Sequence, residues 1–132
     1  MNEAETRVGL APTPHYQYAQ RVGPQLFVAG QVPHDPEANL VGVESPSAQA
    51  SQCLKNLFTL IKLHGFEARD IRQLRVYVVG EQQQLTEAWQ AVSAWFDNNV
   101  PPATLLGVAR LGYVDQLVEI DSTIISEAVP SL

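Results

Sequence analysis

QASQCLKNLFTLIKLHGFEARDIRQLRVYVVG, residues 49–80, decides the fold because it holds the clearest helix and the clearest strand of the chain. Just before it, Ser45 is a favoured N-cap residue and Pro46 suits the first helical position, while Gly65 is typical of a helix end. Between these signals, small or apolar residues recur at helical spacing: Ala50, Cys53, Leu54, Leu57, Phe58 and Ile61. Apolar and polar residues then alternate through residues 71–79, which predicts a half-buried strand after the helix.

The rest of the chain extends this pattern on both sides. We expect two strands near residues 16–22 and 25–32, a second amphipathic helix over 85–96, and two more strands near 103–111 and 116–125. This order predicts an α+β fold with one mixed sheet, a hairpin at each end, parallel strands where a helix connects them, and both helices on one face. Because the strands are apolar on both faces, we expect other subunits to bury the second face.

Length and composition indicate one compact domain. The chain has 132 residues, of which 45% are hydrophobic and 17% are charged, and this is a globular composition. We expect residues 14–132 to form a single domain that follows a loosely ordered segment at residues 1–13.

Charge and hydropathy argue against several classes of partner. A net charge of -6 repels a phosphate backbone, so no nucleic acid partner is expected. The apolar runs are too short to span a membrane and the acidic N-terminal stretch does not resemble a signal peptide, so we expect a cytoplasmic protein with no membrane partner. His15, His34 and His64 lack metal-ligand spacing and no phosphate-binding glycine loop is present, so we expect neither a metal nor a cofactor.

One carboxylate stands out in the last predicted strand. Glu119 lies in the middle of the apolar sequence LVEIDSTII, where a charged group requires either a partner or a cleft. The residues alone leave two interpretations equally open. Glu119 either lines a solvated edge, paired with an arginine across strands, or belongs to a functional site.

Several motifs together resemble the reactive intermediate deaminase family, also called RidA or YjgF. They are YQYAQRVGPQLFVAGQVPHDPEANLVG at residues 16–42, the helix and strand of residues 49–80, EAWQAVSAWF at 87–96, PPATLLGVARL at 101–111 and LVEIDSTII at 117–125. The resemblance implies a chorismate-mutase-like, RidA-like fold and a homotrimer with small-metabolite clefts between subunits. It also implies an activity, the hydrolysis of 2-imino or 2-enamino acids to keto acids and ammonia, which needs no cofactor.

The resemblance also implies a set of site residues. Glu119 matches the glutamate that places the hydrolytic water, and Thr104 stands where active members carry an arginine that binds the substrate carboxylate. The substrate-binding positions implied by the resemblance are Tyr16, Gly30, Gln31, Trp89 and Ala103, with Trp89 in the place of an asparagine. A guanidinium donates two parallel charge-assisted hydrogen bonds to a carboxylate, whereas the Thr104 hydroxyl has one neutral donor.

Two functions follow from this comparison. The first is a trimer that binds a small metabolite at Glu119 and Thr104, with imine or enamine hydrolysis absent or directed to a substrate without a carboxylate. The alternative is a ligand-binding or regulatory trimer without catalysis. A nuclease activity, which some names in the family suggest, is disfavoured by the acidic charge of the chain.

Overall fold

The computed structural model describes residues 1–127, so residues 128–132 of the predicted domain lie outside the described residues. Its helices are α1 (Glu3–Arg7), α2 (Pro46–Leu63) and α3 (Gln82–Trp95), and a short 3-10 turn spans Ala68–Asp70. Its strands are β1 (Ala19–Val22), β2 (Gln25–Val28), β3 (Ile71–Val79), β4 (Ala103–Val108) and β5 (Val118–Ile125). From residue 19 onward, the order of strands and helices is the predicted one.

Helix α2 begins and ends at the residues that the sequence indicated. The Ser45 side chain accepts a hydrogen bond from the backbone N–H of Ala48 at 3.1 Å, and Pro46 takes the first helical position. Beyond the last turn, Gly65 adopts a φ of 84°, a left-handed conformation that glycine enters without steric cost. Between these ends, the helix buries a mostly apolar stripe that also includes the polar residues Gln49 and Asn56.

The strand order in the sheet is β1-β2-β5-β3-β4. Strands β3 and β4 are parallel, as predicted for strands joined by a helix, and the other pairs are antiparallel. The predicted hairpin between β4 and β5 is wrong, because β5 lies between β2 and β3 instead of beside β4. The physical reason is burial: alternate residues of β5 are buried and need a neighbour on each side, whereas β4 has no buried residue and takes the sheet edge.

Both long helices cover one face of the sheet, and no helix of residues 1–127 covers the other face. Leu74, Val76 and Val78 of β3 are fully buried against the helices, together with Val118 and Ile120 of β5. The alternate residues form what we call the open face. Its exposed apolar side chains are Val22, Phe27 and Leu106.

Residues 1–13 make specific contacts, in contrast to the loose attachment expected from the sequence. Leu10 is buried in a small cluster with Tyr18 and Leu60. Glu5 of α1 is buried and its carboxylate lies 2.7 Å from the ring of His64, at the end of α2. This packing was hard to predict from the sequence, because α1 has only five residues and a helix so short is not stable by itself.

Candidate functional site

Glu119 lies on the open face, directly against the backbone of Gly30. The residues that follow Gly30 and Glu119 hold this contact, because Gln31 and Ile120 exchange backbone hydrogen bonds of 2.7 and 3.1 Å. A Cβ atom added to Gly30 would lie 2.2 Å from Oε2 of Glu119 and 2.9 Å from its Cδ. Only glycine therefore allows the carboxylate to occupy this position.

Gln116 holds the same carboxylate from the other side. Its side-chain amide donates to Oε1 of Glu119 at 3.3 Å and to the carbonyl of Val118 at 3.0 Å. Its side-chain oxygen accepts from the backbone N–H of Tyr113 at 3.2 Å. Because Gln116 is almost fully buried, it links the loop before β5 rigidly to Glu119.

A cleft of about 400 Å³ opens beside the carboxylate. Its lining residues are Pro14, Tyr16, Ala29, Gly30, Val32, Gly112, Tyr113 and Glu119. The cleft is thus bounded by two phenol rings, aliphatic groups and one carboxylate. Among the described residues, Glu119 forms no ion pair.

The surroundings shift the pKa values of Glu119 and Tyr16, the two ionisable residues of the cleft that were expected from the sequence. Burial raises the pKa of Glu119, the hydrogen bond from Gln116 lowers it, and the nearby charge of Asp121 raises it further. Burial also raises the pKa of Tyr16 to about 12, with contributions from Tyr113 and Glu119. Near neutral pH, Tyr16 therefore stays a neutral hydrogen-bond donor.

Tyr113 and Gln116 were not predicted as site residues. The Tyr113 ring packs edge-on against His34 with ring centroids 4.6 Å apart, and burial lowers the pKa of His34. Tyr113 lies between the strands predicted near residues 103–111 and 116–125, where the sequence indicated only a hairpin turn. The available signal was an aromatic residue and a glutamine a few positions before Glu119, which could have indicated that this loop contributes to the site.

The predicted site residues fall into two groups within one chain. Tyr16, Gly30 and Glu119 lie together in the cleft. Gln31 is next to them, but its side chain is buried and donates back to the carbonyl of Ala29 at 2.8 Å.

The other predicted residues lie away from the cleft. Thr104 on β4 is in register with Arg75 on β3, which pairs with Asp121 on β5. Thr104 is therefore two strands and two residues away from Glu119, about 12 Å by the usual sheet spacings. Ala103 faces the helical side of the sheet, and Trp89 packs against the core from α3.

Arg75 occupies the space between Thr104 and the cleft. Its guanidinium forms an ion pair with Asp121 at 2.5 Å and also donates to Thr123 and Gln73. The hydroxyl of Tyr77 donates to the same Asp121 carboxylate at 3.1 Å. This arginine is therefore already engaged with its own chain.

Other kinds of site find no support in the part of the chain that the structure describes. Residues 1–127 contain no group of three or more His, Cys, Asp or Glu side chains arranged to hold a metal ion. Burial raises the pKa of the Cys53 thiol well above its ordinary value, which disfavours a reactive thiolate. None of the described helices has the length and apolar character needed to cross a bilayer.

This geometry defines a two-layer α+β domain with an open sheet face and an acidic, aromatic cleft at that face. The chain belongs to the family described as Endoribonuclease L-PSP, which matches residues 6–126 and includes the RidA and YjgF proteins. The sequence is 32% identical over 113 residues to a RutC family protein of Sulfurisphaera tokodaii, covering 83% of this chain and 88% of the relative.

Two further relatives are informative. The 2-iminobutanoate/2-iminopropanoate deaminase of Salmonella typhimurium is 30% identical over 105 residues, which cover 76% of this chain and 81% of the deaminase. The crystal structure of RidA from the Antarctic bacterium Psychrobacter superposes with a TM-score of 0.76 at 25% identity, covering 88% of this chain and 94% of RidA. The predicted family and α+β fold are thus confirmed.

Proposed function

We propose that this protein is a homotrimer that binds a small neutral or amine-bearing metabolite in clefts between subunits, with Glu119 as the polar centre of each cleft. The observation that carries the proposal is the half-buried carboxylate of Glu119, which lies in an aromatic cleft and forms no ion pair among residues 1–127. Such a carboxylate attracts an amine or orients a water molecule, and it repels an acid.

The separation of Thr104 from Glu119 supports a cleft between subunits. The resemblance assigns both residues to one site, yet they are about 12 Å apart within a chain. They come together only if the open faces of two chains meet so that Thr104 of one subunit approaches Glu119 of another. The exposed apolar residues Phe27 and Leu106 give this face a reason to be covered.

The chemistry available in such a cleft is hydrolysis of a C=N bond. Glu119 accepts a proton from a water molecule as the water oxygen bonds to the imine carbon, and it passes this proton to the nitrogen to give a carbinolamine. The C–N bond then breaks as the hydroxyl proton moves to the nitrogen, so that a carbonyl group forms and ammonia leaves. The raised pKa of Glu119 makes it a better proton acceptor than an ordinary carboxylate. Tyr16 closes the cleft, and Thr104 contributes one hydrogen bond in place of the arginine clamp.

The Salmonella relative, whose name describes a deaminase of 2-imino acids, favours a second candidate function. Under this alternative the present chain acts on 2-imino acids, and an arginine of a neighbouring subunit supplies the missing clamp. The candidates are Arg21, Arg110 and, once released from its ion pair with Asp121, Arg75. A third outcome is a trimer that binds its ligand and returns it unchanged. The nuclease activity in the family description is disfavoured for this chain, because its net charge of -6 opposes RNA binding.

The deciding experiment compares the native protein with Thr104→Arg and with Thr104→Gln, a control that donates hydrogen bonds but carries no charge. Keto acid release is measured from 2-iminopropanoate generated in situ by an amino-acid oxidase. We expect little acceleration by the native protein and Thr104→Gln, and an increase of about two to three orders of magnitude with Thr104→Arg, since two charge-assisted hydrogen bonds are restored.

Two results would contradict the proposal. Rapid hydrolysis by the native protein, lost on mutation of Arg21, Arg75 or Arg110, would establish the second candidate function instead. A monomer in sedimentation would remove the intersubunit cleft. Ligands that stabilise the protein in a thermal-shift screen and are recovered unchanged would identify the non-catalytic alternative.

A further inference from the structure

The helical layer carries a second cavity, on the side of the sheet away from Glu119. This cavity, which we call the helix groove, has a volume of about 660 Å³, within the usual range of ligand pockets. It lies between the second half of α2, the end of α3 and the segment that follows α2. Phe58, Ile61, Phe66 and Trp95 supply its apolar surface, and Lys55 and Lys62 lie at its rim.

The apolar surface of the helix groove is aromatic and held in place. The rings of Phe58 and Trp95 pack edge to face with centroids 5.4 Å apart, and Phe96 supports Phe58 at 5.8 Å. Phe66 is almost completely buried beneath the groove, while 38% of Trp95 remains exposed. A fixed aromatic surface with one exposed indole gains more from stacking against a flat aromatic ring than from contact with water.

The rim of the helix groove is positively charged, which favours a ligand that carries an anionic group beside its aromatic ring. Lys55 and Lys62 are the only lysines of a chain with net charge -6, and they lie seven residues apart on one stripe of α2. Among the described residues neither lysine forms an ion pair. Glu67, the one carboxylate within residues 1–127 that lines the groove, is paired with Arg69 at 2.8 Å.

We infer that the helix groove binds small aryl carboxylates, with the ring on Phe58 and Trp95 and the carboxylate between Lys55 and Lys62. The rise of a helix separates the two lysine backbones by about 10.5 Å, so both flexible side chains reach a group placed between them. This site goes beyond the proposed function, because it shares no residue with the cleft around Glu119. A negative result for the helix groove would therefore leave the proposed function of the Glu119 cleft unaffected.

The test uses two probes with the same apolar body: 3-phenylpropanoate, an anion, and 3-phenylpropan-1-ol, its neutral counterpart. Each is titrated into the full-length protein at low ionic strength, and amide and indole shifts are followed by NMR. We expect shifts centred on the second half of α2 and on the Trp95 indole. The carboxylate should bind more tightly than the alcohol by about two- to thirtyfold, the range for two exposed ion pairs.

Three variants test the assignment. Lys55→Gln/Lys62→Gln should weaken 3-phenylpropanoate to the affinity of the alcohol and leave the alcohol unchanged. Arg7→Gln/Arg72→Gln makes the same change in net charge at exposed positions outside the groove and should change neither affinity appreciably. Trp95→Gln should weaken both probes.

Specific outcomes overturn the inference. Equal affinity of the two probes would show that the lysines play no part, and equal weakening by the lysine and arginine variants would show only a general charge effect. Shifts centred on the open face or around Glu119 would place the probes elsewhere. If Trp95→Gln fails to fold, the lysine variant decides alone, because both lysines are exposed.

Discussion

Replacing Gly30 with alanine should displace the Glu119 carboxylate without unfolding the protein. The new Cβ would lie 2.2 Å from Oε2, 2.9 Å from Cδ and 3.2 Å from Cγ of Glu119. The side chain must therefore move by about 1 Å or more to restore ordinary contact, and the 3.3 Å hydrogen bond from Gln116 is then lost. We expect Gly30→Ala to lower the free energy of unfolding by about 1–2 kcal/mol.

Gly107→Ala is the matched control for this substitution. Gly107 lies within strand β4 of the sheet, and an added Cβ would meet only Leu85, at 3.7 Å, which is an ordinary contact. Because alanine costs less conformational entropy than glycine, the control should be neutral or more stable by up to about 1 kcal/mol. Both variants are compared by urea unfolding, and the Glu119 carboxyl carbon is followed by NMR through a pH titration.

A double substitution separates the steric contact from other effects. If the clash with Glu119 causes the loss, Gly30→Ala should cost less stability in a Glu119→Ala background than in the native protein. The reasoning would be refuted if Gly30→Ala matched Gly107→Ala in stability and left the Glu119 titration unchanged.

Three further predictions concern the cleft and the helix that supports it. Because the pKa of Glu119 is raised in the folded state, the native protein is stabilised by protonation of this carboxyl group and loses that stabilisation as the pH rises from 4.5 through the raised pKa. Glu119→Gln has no such group, so its free energy of unfolding should rise relative to that of the native protein over the same pH range. Urea unfolding of both proteins across the pH range checks the sign. Gln116→Ala should raise the pKa of Glu119 further and cost about 1–3 kcal/mol, as measured by NMR titration and urea unfolding, and an unchanged pKa would contradict the hydrogen bond. Ser45→Ala should cost about 1 kcal/mol by loss of the N-cap, measured as a lowered Tm, and Ser45→Asp should retain most of the stability.

The sequence predicted the fold well where local signals were strong. Ser45, Pro46 and Gly65 mark the ends of α2, and alternation marks β3, so both elements were placed nearly to the residue. The position of β5 was missed because the chain passes from β4 through a short loop, which suggested a hairpin. Which strand becomes central depends on burial across the whole sheet, and a local pattern does not contain that information.

The candidate site was predictable only in part. Glu119 was found because a charge in an apolar strand requires an explanation, and Tyr16 and Gly30 came from the resemblance. Gln116 was missed because its buried contacts exist only once the loop before β5 has folded back. The distance from Thr104 to Glu119 was not predicted because it depends on the strand order. The incorrect β4-β5 hairpin would have placed the two residues on neighbouring strands, whereas β3 lies between them.

The central place of β5 also has a consequence for biosynthesis. It is the last strand of residues 1–127 to leave the ribosome, yet it joins the β1-β2 hairpin to the β3-β4 pair. Until β5 has been synthesised, no hydrogen-bonded strand connects the β1-β2 hairpin to the β3-β4 pair. The unpaired edges of β2 and β3 can then pair with strands of other nascent chains. Folding of this protein therefore waits for its longest-range pairing, between β2 and β5, and the strand that completes the sheet also delivers Glu119.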